Sequence, residues 1–309
     1  DYLAVAYIEE GVRLRKAGIE VPILVFYPQL EELENLIKYQ LTPSVYAYRF
    51  LEGLCHELKA YKSKQIPIHL KINTGMNRLG FELSELDDVL TLLQSEPNIQ
   101  VSGLFSHLAA SGNRNETGFT KTQISKFRDA INIFKTYTSY SFKSHICNSS
   151  GILNFPEAEF DMVRAGIALY GYGNHPKEHE QLKIVASLKT VIAQLRTLQK
   201  GDSVGYDRKF IAQNMTKVAT LPLGYADGIS RIFGNGKAHV LVNGTKAPII
   251  GNVCMDTLMV DVTGIDCKEG GEVEIFGKNH SALDFDSEQQ SIPYELITRV
   301  SQRVTRVLV

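Results

Sequence analysis

The first half of the chain alternates short apolar segments with longer stretches whose apolar residues recur at helical spacing. Strands are predicted at residues 3–8, 22–26, 44–47, 66–72, 101–107, 144–148 and 162–170. Amphipathic helices are predicted between them, at residues 9–17, 30–38, 50–61, 85–93 and 120–134. Because such alternation is typical of a parallel sheet that helices cover or close, this half is predicted to be an α/β domain.

The predicted strands are one fewer than the eight of a TIM barrel. An open barrel leaves the backbone groups of two buried edges unpaired, at a cost of several hydrogen bonds. A strand-like pattern is already in place at Asp1, and an upstream strand would close the sheet. We therefore expect a TIM barrel whose first strand precedes these residues, with 144–148 as strand seven and 162–170 as strand eight.

The second half consists of short apolar segments separated by turn sequences such as Asn243-Gly244. Strands are predicted at residues 191–198, 217–221, 239–242, 247–250, 257–261 and 272–276. Long helical patterns largely end near residue 180, which predicts an all-β domain. Since residues 171–181 are rich in Gly, Asn, His and Pro, we place the boundary there and expect domains at 1–180 and 181–309.

Charge and cysteine content limit the classes of partner. The 33 Lys and Arg residues nearly balance 34 Asp and Glu residues, which disfavours nucleic acid and anionic membranes. No apolar run approaches the roughly 20 residues that span a bilayer. The four cysteines form no CxxC pair, so neither a zinc ribbon nor a disulfide framework is expected. These features favour a cytoplasmic protein that binds a small neutral or zwitterionic molecule.

Two segments at the ends of strands seven and eight are candidates for a phosphate site, which TIM barrels often place there. Asn148-Ser149-Ser150-Gly151 offers hydroxyl and backbone N–H groups where a helix is expected to begin at Ile152. Arg164-Ala165-Gly166-Ile167 contains a glycine that permits close backbone approach. A plain helix N-cap at Ser149 and a packing glycine at Gly166 explain the same residues, so these segments alone leave both interpretations open.

Two further barrel segments end in charged or titratable residues. Lys71 lies at a strand end, and Arg78 follows after a Gly-containing turn. An arginine there could hold a substrate carboxylate through two hydrogen bonds, although a solvated turn arginine is the alternative. His107 ends an apolar strand, where a structural histidine is common but proton transfer is also within its range.

In the second half, Gly205-Tyr206-Asp207 and residues 223–228 are first interpreted as tight turns with a packed tyrosine. Residues 251–256 are interpreted as a turn that enters a strand. Cys254 beside Met255 lacks the further soft ligands that a metal site requires, so no metal is expected there.

Together and in this order, these segments resemble the alanine racemase family of fold-type III pyridoxal-phosphate enzymes. In the first half the matching segments are LAVAYIEEGVRLRKAGIEVPILV (3–25), LKINTGMNRLGF (70–81), GLFSHLAAS (103–111), HICNSSG (145–151) and DMVRAGIALYG (161–171). In the second half they are VGYD (204–207), LPLGYADGISR (221–231) and GNVCMD (251–256). As an ordered set they favour the functional interpretations over the structural ones.

The resemblance implies a two-base racemisation of alanine with pyridoxal 5'-phosphate. In the family a lysine at the end of the first barrel strand forms the Schiff base and acts as one base; it precedes the stretch that matches here, so it is not expected among the 309 residues. A tyrosine contributed across a homodimer interface is the other base, and Tyr206 matches it. His107 and Arg164 match the residues that assist this tyrosine. Arg164 also matches the arginine that faces the pyridine nitrogen and keeps it unprotonated.

The resemblance assigns the remaining site residues as well. Family contacts to the cofactor phosphate match Asn148, Ser149, Gly166 and Ile167. Substrate contacts match Arg78 and, through its backbone, Met255, while the substrate entrance matches Tyr225, Arg231 and Asp256. Lys71 matches a lysine that is carbamylated in several members.

The chain departs from the family at two of these places. Asn73 stands where many members have Asp, which puts carbamylation of Lys71 in doubt, and Gln302 replaces a tyrosine that contacts the phosphate in some members. We expect a cytoplasmic homodimer that supplies D-alanine for peptidoglycan. A broader amino-acid racemase, or a non-catalytic domain that binds pyridoxal phosphate within a fused protein, are the alternatives. A decarboxylase of the same fold is disfavoured, because those enzymes place a carboxylate where Arg164 stands.

Overall fold

The computed structural model describes residues 1–60, 65–286 and 291–309. These residues divide into two compact units, one formed by Asp1–Gly166 with Gly173–Glu178 and the other by Ile167–Tyr172 with His179–Val309. Among the described residues, no helix combines the length and the apolar character needed to cross a bilayer.

The first unit is built on a six-stranded parallel sheet whose strands follow one another in chain order. Its strands are β1 Leu3–Val5, β2 Ile23–Val25, β3 Thr42–Val45, β4 Ile66–Lys71, β5 Ile99–Phe105 and β6 Lys143–His145. In a parallel sheet all carboxyl ends lie at the same edge. The loops that carry the candidate residues after β4, β5 and β6 therefore emerge together.

Helices connect these strands, as the sequence pattern predicts. They are α1 Ile8–Lys16, α2 Leu33–Lys38, α3 Tyr48–Ala60, α4 Leu86–Gln94 and α5 Thr117–Tyr137, and a further helix, α6 Ser149–Asn154, follows β6. On α5, Phe127, Ala130, Ile131 and Phe134 recur at intervals of three and one and form part of its buried face. The first predicted helix after β2 is divided, since residues Leu30–Glu32 form a 3-10 turn before α2. Tyr61, the predicted end of α3, lies outside the described residues.

The predicted strand at residues 162–170 is wrong. The segment makes only isolated backbone bonds beside β6, from Asp161 N to Ser144 O and from Arg164 N to Cys147 O. The N–H of Gly166 instead donates to a side chain, Ser149 Oγ, at 3.0 Å, and a 3-10 helix follows at Ile167–Tyr170. Because its backbone donors are used in this way, no ladder forms, and the sheet described here has six strands rather than seven.

The second unit is antiparallel, which confirms the predicted all-β class. Its main sheet has seven strands in the order β7-β15-β12-β13-β14-β11-β8. These are β7 Leu188–Val191, β8 Gln194–Leu198, β11 Thr216–Leu221, β12 His239–Val242, β13 Thr245–Ile250, β14 Leu258–Asp261 and β15 Glu272–Phe276. A two-stranded ribbon pairs β9 Ser203–Val204 with β10 Phe210–Ile211.

One predicted strand of this unit, residues 191–198, is divided between β7 and β8. Only Ile192 and Ala193 separate these strands, yet they lie at opposite edges of the sheet. Two residues span at most about 10 Å, so this sheet must curl until its edges approach each other. A cluster of buried aliphatic and aromatic side chains fills the inside, with Val240, Val260 and Ile275 fully buried.

Candidate active site

Arg164 lies at the centre of the candidate site in the first unit. Its Nη1 donates to His145 Nδ1 at 2.6 Å, and its Nη2 donates to the carbonyl oxygens of Ser106 and Ile146 at 2.7 and 3.1 Å. The guanidinium carbon lies 5.6 Å from the centre of the Phe105 ring. Burial lowers the pKa of Arg164 to about 10, so the group keeps its charge at neutral pH. The uncharged His145 ring and two backbone carbonyls thus fix the orientation of the positively charged guanidinium.

His107 contacts the same guanidinium. Its Nδ1 lies 3.3 Å from Arg164 Nη2 and its Nε2 lies 3.4 Å from Asn148 Nδ2. Burial, followed by the charge of Arg164, lowers the pKa of His107 to about 3, so the imidazole is neutral. The guanidinium of Arg164 and the amide nitrogen of Asn148 are both donors. A neutral imidazole has one acceptor nitrogen, so His107 accepts from one of them and carries its proton on the other ring nitrogen.

Lys71, at the end of β4, is buried beside two other cations. Its ammonium lies 5.0 Å from the centre of the Phe105 ring. Burial lowers the pKa of Lys71 to about 8, and the charges of Arg164 and Arg78 add to the shift. Among the described residues no carboxylate forms an ion pair with it. The site therefore has an excess of positive charge that suits an anionic ligand.

Replacing Lys71 by methionine is expected to change how stability depends on pH. The pKa of Lys71 is about 8 in the folded protein and near its usual 10.5 in the unfolded chain, so between these pH values the unfolded chain binds one more proton. In wild type this makes the folded state gain stability as pH rises through that window, by up to about 3 kcal/mol. Lys71→Met should have a higher free energy of unfolding than wild type at pH 8, and this difference should decrease between pH 8 and 10.5, as measured by chemical denaturation.

Lys121→Met, on the exposed face of α5, is the matched control for the loss of a lysine charge. A stability difference between Lys71→Met and wild type that stays constant from pH 7 to 10.5 would contradict the buried ammonium at residue 71.

Asn73 organises the turn that carries Arg78. Its Oδ1 accepts from the N–H groups of Gly75 and Asn77 at 3.1 and 3.0 Å, and its Nδ2 donates to Glu82 Oε1 at 2.6 Å. The amide is therefore committed to the turn, and Arg78 itself is exposed. Gly80 closes the turn at a φ of 119°, where a Cβ would lie 2.8 Å from the backbone nitrogen of residue 73, so only glycine fits there.

The predicted phosphate segment is organised by Asn148 rather than Ser149. The Asn148 Oδ1 caps α6 by accepting from Gly151 N at 2.9 Å and also accepts from Ser111 Oγ at 2.8 Å. The predicted helix start at Ile152 and the cap at Ser149 are therefore wrong, because an asparagine side chain reaches the third N–H of the helix and α6 begins at Ser149 itself.

The packing interpretation of Gly166 is also wrong. A Cβ at Gly166 would meet only Ser149 Oγ, at 4.0 Å, which is an ordinary contact. Space is therefore open beside Gly166. Ile167, the next residue, is buried in the core of the second unit.

A buried carboxylate that sequence analysis missed supports α6. Glu178 is 1% exposed and accepts from Ser150 Oγ at 2.9 Å, Asn154 Nδ2 at 2.5 Å and Asn174 N at 2.7 Å. Asn154 also donates to Ser111 O at 3.0 Å. Hydrogen bonds thus connect Glu178 to the segment that positions Asn148.

The remaining predicted residues lie in the second unit. Tyr206 is 69% exposed, in a turn where Gly205 and Asp207 both have positive φ. Tyr225 and Met255 are also exposed, and the two segments that carry them are joined by backbone bonds from Tyr225 N to Cys254 O and from Ala226 N to Met255 O, both 3.0 Å.

Arg303 holds this group of residues together. It donates to both carboxylate oxygens of Asp227, at 2.6 and 2.9 Å, and to Asp256 at 2.7 Å. Asp227 in turn accepts from Gly224 N at 2.8 Å. Arg231, at the start of a 3-10 helix, and Gln302 are exposed. Tyr225, Met255 and Asp256 therefore form one hydrogen-bonded surface of the second unit.

Comparison with known proteins identifies the family. Residues 1–174 match the family model "Alanine racemase, N-terminal domain" and residues 185–308 match "Alanine racemase, C-terminal domain". The chain belongs to the alanine racemase family. The resemblance inferred from the ordered motifs is thereby confirmed, as is the fold of a parallel barrel-like domain followed by an antiparallel β domain.

Individual family members are similar in sequence or structure to nearly the whole chain. The alanine racemase of Treponema denticola is 39% identical over 100% of this chain and 84% of its own length, and alanine racemase 1 of Clostridium acetobutylicum is 37% identical over 99% and 81%. Among solved structures, the alanine racemase of Clostridium difficile 630 superposes with a TM-score of 0.90 at 31% identity, covering 98% of this chain and 80% of that one. The Bartonella henselae alanine racemase, solved with covalently bound pyridoxal phosphate, gives a TM-score of 0.85 at 29% identity, covering 100% and 85%.

Proposed function

We propose that this protein is an alanine racemase that interconverts L- and D-alanine with pyridoxal 5'-phosphate and supplies D-alanine for peptidoglycan in the cytoplasm. The observation that carries the proposal is the match of both family domains, in order, to a chain whose Arg164 is oriented by neutral acceptors. We assign cofactor binding to residues 1–180 and the β domain to 181–309.

The residues around Arg164 fit the pyridine ring of the cofactor. Its two terminal nitrogens are occupied by His145, Ser106 and Ile146, whereas its Nε–H donates no hydrogen bond among the described residues. This donor suits a pyridine nitrogen that accepts and stays unprotonated. A decarboxylase would need a carboxylate here, and among the described residues none forms an ion pair with Arg164.

The open space beside Gly166 fits the phosphate group. Asn148 fixes the first turn of α6, and a backbone without a side chain at Gly166 lets a bulky anion approach. Asn148, Ser149, Gly166 and Ile167 are the residues that would hold the phosphate. The nearby cations Lys71 and Arg78 would favour the anionic cofactor and the substrate carboxylate.

Bound pyridoxal phosphate supplies an electron sink that makes the Cα proton of alanine removable. The chain's own residues then move that proton. We assign to His107, whose imidazole is neutral and contacts Arg164, the role of donating its ring N–H to a phenolate oxygen. The exposure of Tyr206 in its own subunit supports a role across a homodimer, with Tyr206 as one base and with Met255, Tyr225 and Asp256 at the substrate entrance.

The Schiff-base lysine of the proposed enzyme can be identified by trapping the cofactor on the holoenzyme. Reduction with borohydride followed by peptide mass spectrometry would identify the lysine that carries the cofactor.

The decisive assay supplies pyridoxal phosphate and measures racemisation of L-alanine and of D-alanine, with L-serine as comparison substrate. We expect conversion in both directions and a kcat/KM for alanine at least about tenfold above that for serine. Equal rates on serine would favour a broad amino-acid racemase. Cofactor binding without turnover of either enantiomer would favour a non-catalytic domain and contradict the proposal.

A further inference from the structure

Two fully buried histidines lie side by side behind Arg164. His69 is on β4 and His145 ends β6, and both have 0% exposure. His69 Nδ1 lies 3.0 Å from His145 Nε2, and the ring centres are 5.1 Å apart. Since His145 also contacts Arg164 at 2.6 Å, the three side chains form a continuous chain of hydrogen bonds.

Arg164 determines which atoms donate and which accept in these hydrogen bonds. A guanidinium has donors only, so His145 Nδ1 must accept and the proton of His145 must be on Nε2. That proton is donated to His69 Nδ1, which puts the proton of His69 on its own Nε2. Burial, followed by the charge of Arg164, lowers the pKa of His69 to about 4 and that of His145 well below its usual value. Both rings are therefore neutral, as this order requires.

Packing alone does not account for a histidine at position 69. Its Nε2 is buried and has no hydrogen-bond partner among the described residues. An N–H group buried without an acceptor costs about 1–3 kcal/mol, whereas an aliphatic side chain in the same place would carry no such cost. The residue therefore has a use at its other nitrogen, Nδ1.

The neighbouring strand leaves room for this ring. Gly103, the partner of His69 in the β4–β5 register, lies directly against the imidazole. A Cβ at Gly103 would be 2.5 Å from His69 Nε2, a distance that no real contact allows. The glycine thus permits the ring to extend across β5 and reach His145 on β6.

We propose that His69 is a positioning residue for Arg164. By accepting the Nε2 proton of His145, it holds that ring in the orientation that presents Nδ1 to the guanidinium. Arg164 is held by an uncharged acceptor, so its charge is not shared with a carboxylate. Only the last step, that Arg164 faces the cofactor, rests on the proposed function; the pairing of the histidines does not.

The pairing is tested by NMR of protein labelled with 15N in histidine, without cofactor. In wild type, His145 should show an unprotonated Nδ1 and a protonated Nε2 that exchanges slowly with solvent. In His69→Leu the Nε2 proton has no acceptor, so its exchange should accelerate at least about tenfold, while the contact with Arg164 keeps the proton on Nε2. In His69→Gln the amide oxygen accepts, and the wild-type pattern should return.

Gly103→Ala is a second, independent variant, because it removes no hydrogen-bonding group yet displaces the His69 ring. It should reproduce the spectrum of His69→Leu. Thermal unfolding of His69→Leu should change little, since one buried N–H without an acceptor replaces another. If His145 signals in His69→Leu match those of wild type, His69 only packs and the proposal is wrong.

Measuring the affinity for pyridoxal phosphate tests the placement of the cofactor independently of the histidine pairing. His69→Leu should raise the Kd for pyridoxal phosphate about tenfold, and His69→Gln should stay within about twofold of wild type. Altered His145 signals together with unchanged affinity in both variants would support the histidine pairing and contradict the placement of the cofactor at Arg164.

Discussion

Arg164→Lys is expected to lower kcat/KM for alanine by at least about a hundredfold in both directions while the protein remains folded. The guanidinium contacts His145, Ser106 and Ile146 at once and still has Nε–H for the cofactor ring. A lysine has three donors on one nitrogen and cannot reproduce this planar arrangement. Loss of one preorganised donor at a reacting centre costs about 10²–10³ in rate.

Steady-state kinetics, the Kd for pyridoxal phosphate and the absorption spectrum of the bound cofactor measure this effect. Arg128→Lys is the matched control: Arg128 lies on α5 in the same unit and donates to Glu157 O at 3.1 Å, away from the residues assigned to the site. A kcat/KM near wild type for Arg164→Lys would show that Arg164 does not face the cofactor, and the racemase assignment of this site would fail.

Much of the fold follows from local periodicity. The strands His239–Val242 and Glu272–Phe276 have the bounds that the sequence predicts, because each is a short apolar segment next to turn residues such as Asn243-Gly244 and Gly270-Gly271. The error at residues 162–170 has a different origin. There the N–H of Gly166 bonds to Ser149, seventeen residues away, and no local pattern contains that information.

In the candidate site, too, contacts between residues far apart in sequence could not be predicted. The motifs indicate Lys71, His107 and Arg164. The structure places Lys71 and Arg164 over the Phe105 ring and His107 beside Arg164. Sequence analysis missed His69, although a histidine inside an apolar strand is a detectable signal. Its partner His145 is 76 residues away, so the pairing exists only after the sheet has formed. Glu178 was missed for the same reason, since two of its three donors, Ser150 and Asn154, lie 28 and 24 residues away.

Tyr206→Phe is expected to lower racemisation by about a thousandfold, equally from L- and from D-alanine. The two enantiomers have the same free energy, so the ratio of kcat/KM in the two directions must stay at one even when a single base is lost. Removal of the phenol hydroxyl eliminates proton transfer on one face of the substrate. The base on the other face is untouched, so it can still remove and return a proton.

Proton exchange in D2O therefore distinguishes this role from a general loss of activity. One enantiomer should still exchange its Cα proton for deuterium without racemising, as followed by NMR, while the other should neither exchange nor racemise. Tyr140→Phe is the control, because Tyr140 is likewise exposed and lies in the first unit outside the assigned site. Exchange lost equally for both enantiomers would indicate a structural defect, and unchanged racemisation would show that the phenol of Tyr206 is not the second base.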